Sequence, residues 1–374
     1  MRPVAILVAL ALAACDGTGL EAGDAFVYAT DGTDWAVDVV QAPNGDLVVV
    51  GSSEGVPRPA DGTLALPTVL RFGLDGDLRS AEVYRDLGFG DVQGVGVVDD
   101  ELIVAVAAGP DDPGASSVTV FRAGPNGRRR DAFLRLDAGY APGQSVRVLE
   151  DGSAAVAVSP RTTASPQLYR LGRSGDATWA VRLGVQGVQA VEPASGGDLY
   201  VLGYTAEGSS ILRVEGATGT VTRRVVRPDS WQTVAIARDG EGVALLESAA
   251  GTAIRVVRLD AQGAERSTTA VLEAAPGRTA RASALEVADG YFAVAWTEER
   301  PGAFGAPGDS YVAVVGPGGE RRSRFGERGR WSAVSALLAL EDGRLAAVGV
   351  TGPERIGGFG GDDFDVRVTL YDAD

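Results

Sequence analysis

The side chains able to do chemistry are few in this chain, and their types narrow it sharply. The 374 residues contain no histidine and one cysteine. Without histidine there is no Ser-His-Asp or Cys-His activation of a nucleophile, and no imidazole ligand for zinc or haem. What remains is carboxylates and tryptophans. Asp111 and Asp112, Glu298 and Glu299, and Asp362, Asp363 and Asp365 cluster in Gly/Pro-rich segments. Paired carboxylates can act as acid and base on a glycosidic bond, or hold a hard cation such as calcium. No segment shows the alternating Asp-x-Asp-x-Asp-Gly spacing of a calcium loop, so solvated loop charge is the plainer reading. Trp35, Trp231 and Trp331 each fall where an apolar run begins. Such rings can stack on a sugar or a partner side chain, or simply plug a channel. No glycine-rich segment opens a helix, so a phosphate-binding loop is excluded, and no cofactor is expected.

The elements that must position these residues form a repeat. Asn44-Gly45, Asp99-Asp100, Asp151-Gly152, Gly196-Gly197, Asp239-Gly240, Asp289-Gly290 and Asp342-Gly343 each separate two apolar runs. They recur about every 50 residues, the spacing of propeller blades. Asn-Gly and Asp-Gly between β-runs predict hairpins of the type I′ kind, with both central residues at positive φ. After each turn comes a run apolar on both faces, such as LVVVG from Leu47 or LAAVG from Leu345. That is the pattern of a strand sandwiched between neighbouring sheets. A variable loop follows, then a third strand that alternates apolar residues with Arg, then a second turn and a polar fourth strand. The seventh unit lacks its fourth strand, and Ala25–Thr30 is a strand without a blade. The fold expected is therefore all-β: a β-propeller of seven blades, four antiparallel strands each, with the N-terminal strand completing the last blade. Closure of this kind removes the open sheet edges. It is also expected to bring the loop 357–365 beside the N-terminus.

Each blade puts its two tight turns on one face. The loops between second and third strands, and those between blades, share the other. Function favours variable loops on a rigid scaffold, so the long-loop face is the candidate binding face. Its longest loops, Ser52–Pro67, Ala107–Ser117, Glu298–Ser310 and Val350–Asp362, belong to contiguous blades and predict a raised rim. The carboxylates named above and the three tryptophans are the candidate residues on it. Arg128, Arg129 and Arg130 follow a tight turn on the opposite face and read as a solvated edge.

The pattern resembles the SBBP-like and delta-60 β-propeller repeats of bacterial envelope proteins. It is best seen in RFGERG from Arg324, LEDGRLAAVG and DDFDVRVTL, and next in DWAVDVVQAPNGDLVVVG from Asp34. The resemblance implies a fold and no particular activity. Residues 1–15, MRPVAILVALALAAC, resemble a bacterial lipoprotein signal ending in Leu12-Ala13-Ala14-Cys15. The apolar run is too short to span a bilayer. The resemblance implies cleavage before Cys15 and lipidation of its thiol, where two or three acyl chains give a stable anchor. The organisation expected is a signal peptide over 1–14, the lipidated Cys15 and a tether over 15–24, and one propeller over 25–374.

A net charge of -16 argues against nucleic acid and against docking to anionic lipid by charge. All 34 basic residues are Arg. The function expected is non-enzymatic binding or scaffolding in the cell envelope, membrane-held through lipid, with an envelope protein or a glycan as partner. The alternative is a carbohydrate-binding or carbohydrate-active propeller. A quinone-dependent dehydrogenase is a third and weaker fit, because vicinal cysteines are missing.

Overall fold

The computed structural model describes residues 20–30, 32–58, 62–109, 117–136, 139–140, 145–160, 165–299, 308–328, 330–353 and 364–373. Residues 1–19, with the expected signal peptide and Cys15, lie outside the described residues, as do Asp111, Asp112, Asp362 and Asp363. Seven antiparallel sheets form a seven-bladed propeller. Blade 1 comprises Thr33–Gln41, Leu47–Arg58, Gly62–Phe72 and Leu78–Val83. The innermost strands of blades 2 to 6 are Phe89–Val98, Val146–Val148, Gly187–Pro193, Gln232–Asp239 and Thr279–Ala288. In blade 3 a short piece, Gly139–Tyr140, also pairs with the second strand. Blade 7 comprises Arg330–Ala339, Arg344–Pro353 and Asp365–Asp372, and its outer strand is Ala22–Tyr28 from the N-terminus. The ring therefore closes as the repeat predicts, with Phe26 opposite Val368 and Tyr28 opposite Val366.

The second strands show why each run is apolar on both faces. Leu47, Val48, Val49 and Val50 are all at most 1% exposed. Leu47 and Val49 pack toward blade 7, whereas Val48 and Val50 pack toward blade 2. One strand with period-2 alternation thus serves two seams. Every seam between adjacent blades has its own apolar cluster of this kind, and the Phe26, Val366 and Leu70 cluster seals the junction of the two chain ends.

The third-strand arginines, read as half-exposed, form a repeated clasp on the tight-turn face. Arg71 Nε meets Asp46 Oδ2 at 2.6 Å in its own blade, and its Nη1 donates to the Pro125 carbonyl of the next blade. Arg213 does the same with Asp198 (2.9 Å) and the Ala261 carbonyl (3.1 Å). Arg170 joins Asp151 to the Gly216 carbonyl.

The turn chemistry differs from expectation. Asp99-Asp100 has both residues at positive φ, 48° and 65°, between the paired Val98 and Glu101, as a type I′ turn requires. Gly196-Gly197 also has both positive, 73° and 81°, but within the longer loop between the paired Pro193 and Leu199. At Asn44-Gly45 only Gly45 is positive, at 89°. There the Ala42 and Gly45 amides donate to Asp46 and Ala42, respectively. This is a type I turn closed by a left-handed glycine, the three-residue hairpin rather than the two-residue one. Asp151-Gly152 and Asp342-Gly343 share it.

Candidate functional site

Innermost strands start at the long-loop face and run to the tight turns, so Trp35 and Trp331 lie at the long-loop mouth. They belong to neighbouring blades, and the propeller brings them together with ring centroids 6.2 Å apart, edge to face. A third ring, Phe364, sits just before the third strand of blade 7. It lies 5.0 Å from Trp331 and 5.5 Å from Trp35. The backbone supports this grouping. The Asp34 amide donates to the Phe364 carbonyl at 2.7 Å, tying blade 1 to blade 7. Gly352, opposite Trp331 in the sheet, leaves the room that Phe364 takes: a Cβ there would stand 2.2 Å from the ring. All three rings are partly exposed. They form an aromatic patch on the seam where the ring of blades closes. Phe364 was not legible as a member, because only the fold places it beside Trp331.

Trp231 does not join this patch. It stands in blade 5 with the Arg255 guanidinium 3.7 Å above its ring. Arg255 and Arg227 both bind Glu247, a carboxylate with no exposed side-chain surface, at 2.7 and 2.6 Å. Trp231 thus covers a buried charge cluster.

The described loop carboxylates are held by arginines. Glu298 accepts from Arg322 at 2.7 Å, Arg278 at 3.3 Å and the Trp296 indole at 3.3 Å. Glu299 pairs with Arg281 at 3.2 Å and Asp365 with Arg330 at 3.3 Å. Among the described residues no group of three or more Asp, Glu, Cys or His is placed to hold a metal ion. The rim is described in part: in blade 1 the strands themselves run on to Arg58 and resume at Gly62, so the long loop there is an extended hairpin.

A second polar assembly lies in the central channel and was not singled out from the sequence. Arg147 of blade 3 donates to Asp38 of blade 1 at 3.2 Å and to Glu192 of blade 4 at 2.9 Å. Glu286 of blade 6 accepts from the Ala339 amide of blade 7 at 3.3 Å. Arg238 of blade 5 meets Glu150 of blade 3 at 3.2 Å. Arg147–Asp38 and Arg238–Glu150 join blades that are not neighbours and so span the channel, whereas the other two contacts link adjacent blades. Burial pushes Asp38 and Glu192 up, and Arg147 only partly offsets it. Burial favours loss of the Arg147 charge, but the two carboxylates outweigh it and the guanidinium stays charged. Glu286 is pushed up to about 8 by burial and by the neighbouring Glu192. The available signal was a charged residue inside an apolar innermost strand: WAVDVV, SVRVLE, VQAVEP and SALEVA.

Two concavities among the described residues touch neither assembly. One, of about 290 Å³, lies beside Arg170 and Trp179, and the other, about 310 Å³, beside Arg129 and Thr119.

No protein-family model matches this chain, and no curated protein matches it. Solved structures do match. The Dos1 propeller superposes with a TM-score of 0.55 at 11% identity, over 94% of this chain and 95% of that one. The extracellular domain of the putative one-component system BT4673 from B. thetaiotaomicron gives 0.53 at 12% identity over 90% of this chain. This chain spans only 40% of that protein's length. A quinonprotein alcohol dehydrogenase-like protein from Bacteroides thetaiotaomicron gives 0.51 at 13%, over 80% of this chain and 68% of that one. At such identities the likeness is one of fold. Among the described residues no helix is long and apolar enough to cross a membrane.

Proposed function

We propose that this chain is a lipid-anchored, non-enzymatic propeller of the bacterial cell envelope that binds another envelope protein through its long-loop face. The observation that carries the reading is the Trp35–Trp331–Phe364 patch. Three large rings from two blades are left partly exposed on an acidic, otherwise polar surface. Partly exposed aromatics in a rigid setting are what binding hot spots are made of. The ordered scaffold beneath them lowers the entropy lost on binding. The arginine pairs on Glu298, Glu299 and Asp365 leave these carboxylates poorly suited to acid–base work on a glycosidic bond. Anchoring rests on the Leu12-Ala13-Ala14-Cys15 sequence.

The test is flotation of the native and Cys15→Ser chains on a density gradient of cell envelopes, with crosslinking at the aromatic patch. The native chain should float with membrane and give a discrete adduct. Equal flotation of Cys15→Ser removes the anchor, and adducts indifferent to the patch remove the binding face.

A further inference from the structure

The geometry points to a fixed orientation at the bilayer, with the tight-turn face toward the lipid surface and the long-loop face turned away. It rests on the lipid-anchored reading above, and it follows from where the chain enters the propeller. The closing strand Ala22–Tyr28 runs antiparallel to Asp365–Asp372, with Ala22 opposite Tyr371 and Tyr28 opposite Val366. Asp365 begins at the long-loop face, so Ala22 enters at the tight-turn face. This reverses the expectation that the loop ending at Asp365 adjoins the N-terminus; the length of the strand separates them.

The chain is already fixed ahead of that strand. Leu20 is 4% exposed and packs among Leu345, Tyr371 and Ala373 at the tight-turn end of the seam between blades 6 and 7. Its amide donates to the Arg322 carbonyl at 3.2 Å, and the Glu21 carbonyl accepts from the Asp372 amide at 3.4 Å. Leu20 is therefore the fixed point from which the reach to Cys15 is measured. Four residues lie between Cys15 and Leu20, and the five steps from one to the other, at no more than about 3.6 Å each, reach about 18 Å. The closing strand alone has seven residues, and at about 3.4 Å each it rises roughly 20 Å from one face to the other. A tether shorter than the propeller is thick cannot carry the anchor round to the long-loop face.

The facing surface also sets the distance. Exposed Asp99, Asp100, Glu150, Glu241, Asp289 and Glu341 lie at the tight turns. Asp99 faces Arg173 and Glu150 faces Arg238, and the exposed Arg128, Arg129 and Arg130 share this face, so it is Asp100, Glu241, Asp289 and Glu341 that carry the repulsion. An anionic bilayer repels them over a Debye length of about 8 Å at physiological salt. The propeller then stands off at the length of its tether rather than lying on the headgroups.

The test uses the lipidated chain in vesicles carrying a headgroup-labelled acceptor lipid. A donor dye is placed on Glu241→Cys at the tight turns or on Glu207→Cys at the long-loop face, both exposed. Energy transfer should be at least twofold greater from position 241. On vesicles with one-fifth phosphatidylglycerol, transfer from 241 should fall as salt is lowered. Equal or greater transfer from 207, in a chain that floats with the vesicles, overturns the orientation and leaves the anchor standing. A rise at low salt overturns the stand-off. A chain that does not float overturns the anchor, and this inference with it.

Discussion

Arg147 of blade 3 reaches across the central channel to Asp38 of blade 1, Nη1 to Oδ2 at 3.2 Å, and holds Glu192 of blade 4 with its other nitrogens. One guanidinium thus serves two carboxylates from blades far apart in sequence. Removing it leaves two largely buried charges unpaired, which costs about 3–5 kcal/mol. Arg147→Met should therefore lower the urea midpoint strongly, and adding Asp38→Asn and Glu192→Gln should restore most of it. Equal midpoints for Arg147→Met and the native chain would show that the channel network contributes nothing.

Glu286 gives the network a pH dependence. Its folded pKa of about 8 lies above the ordinary 4.5. The folded state holds this proton more tightly than the unfolded chain does. The contribution is complete below about pH 4.5 and is lost as pH rises to about 8. The groups acting on it are Glu192 and Asp38, which raise it, and Arg147 and the Ala339 amide, which lower it. Stability should fall by about 2 kcal/mol from pH 5 to pH 9, after allowing for partial solvent screening. Glu286→Gln should flatten that slope. A slope unchanged in the variant assigns the pH dependence elsewhere.

Closure by the N-terminal strand couples distant parts of the chain. Phe26 is 6% exposed, stacks on Phe72 of blade 1 at 6.3 Å, and lies against Gly76, whose φ is 88°. Phe26→Ala should cost about 3–4 kcal/mol. Deleting residues 26–29 should make limited proteolysis begin in blade 7, hundreds of residues away. First cuts in blades 3 to 5 would contradict the closure.

Gly352 controls the aromatic patch without belonging to it. In Gly352→Ala the new methyl meets the Phe364 ring at 2.2 Å. The ring must move, at about 1–3 kcal/mol. Tryptophan emission should shift to the red as Trp331 loses its cover, while the far-ultraviolet circular dichroism stays native. An unchanged spectrum would mean that Phe364 does not shield Trp331.

The fold was legible because each blade repeats a local signal. A turn pair, a doubly apolar run and an Arg-bearing third strand recur in order, and LVVV at Leu47 already implies two packed faces. The seam was legible too, since Ala25–Thr30 had no partner nearby; the strand observed, Ala22–Tyr28, begins three residues earlier. The turn type was not, because the glycine that follows Asn44 fits either turn and only the backbone angle of Asn44 decides. Trp35 and Trp331 could be placed in neighbouring blades, yet Phe364 and Gly352 enter the patch through sheet register alone. The channel network was hidden for a related reason. Asp38, Arg147, Glu192 and Glu286 are each one charge in an apolar strand, and nothing local says that four such strands converge.

The central claim is that the long-loop face, at the aromatic patch, is the surface a partner meets. Its most direct test is a photo-crosslinking residue placed at Trp331 and, separately, at Glu241 on the tight-turn face, in cells of the source organism. The account predicts a discrete protein adduct from position 331 that weakens at least tenfold with Phe364→Ala, and none from 241. A discrete adduct from 241, with none from 331, would contradict it.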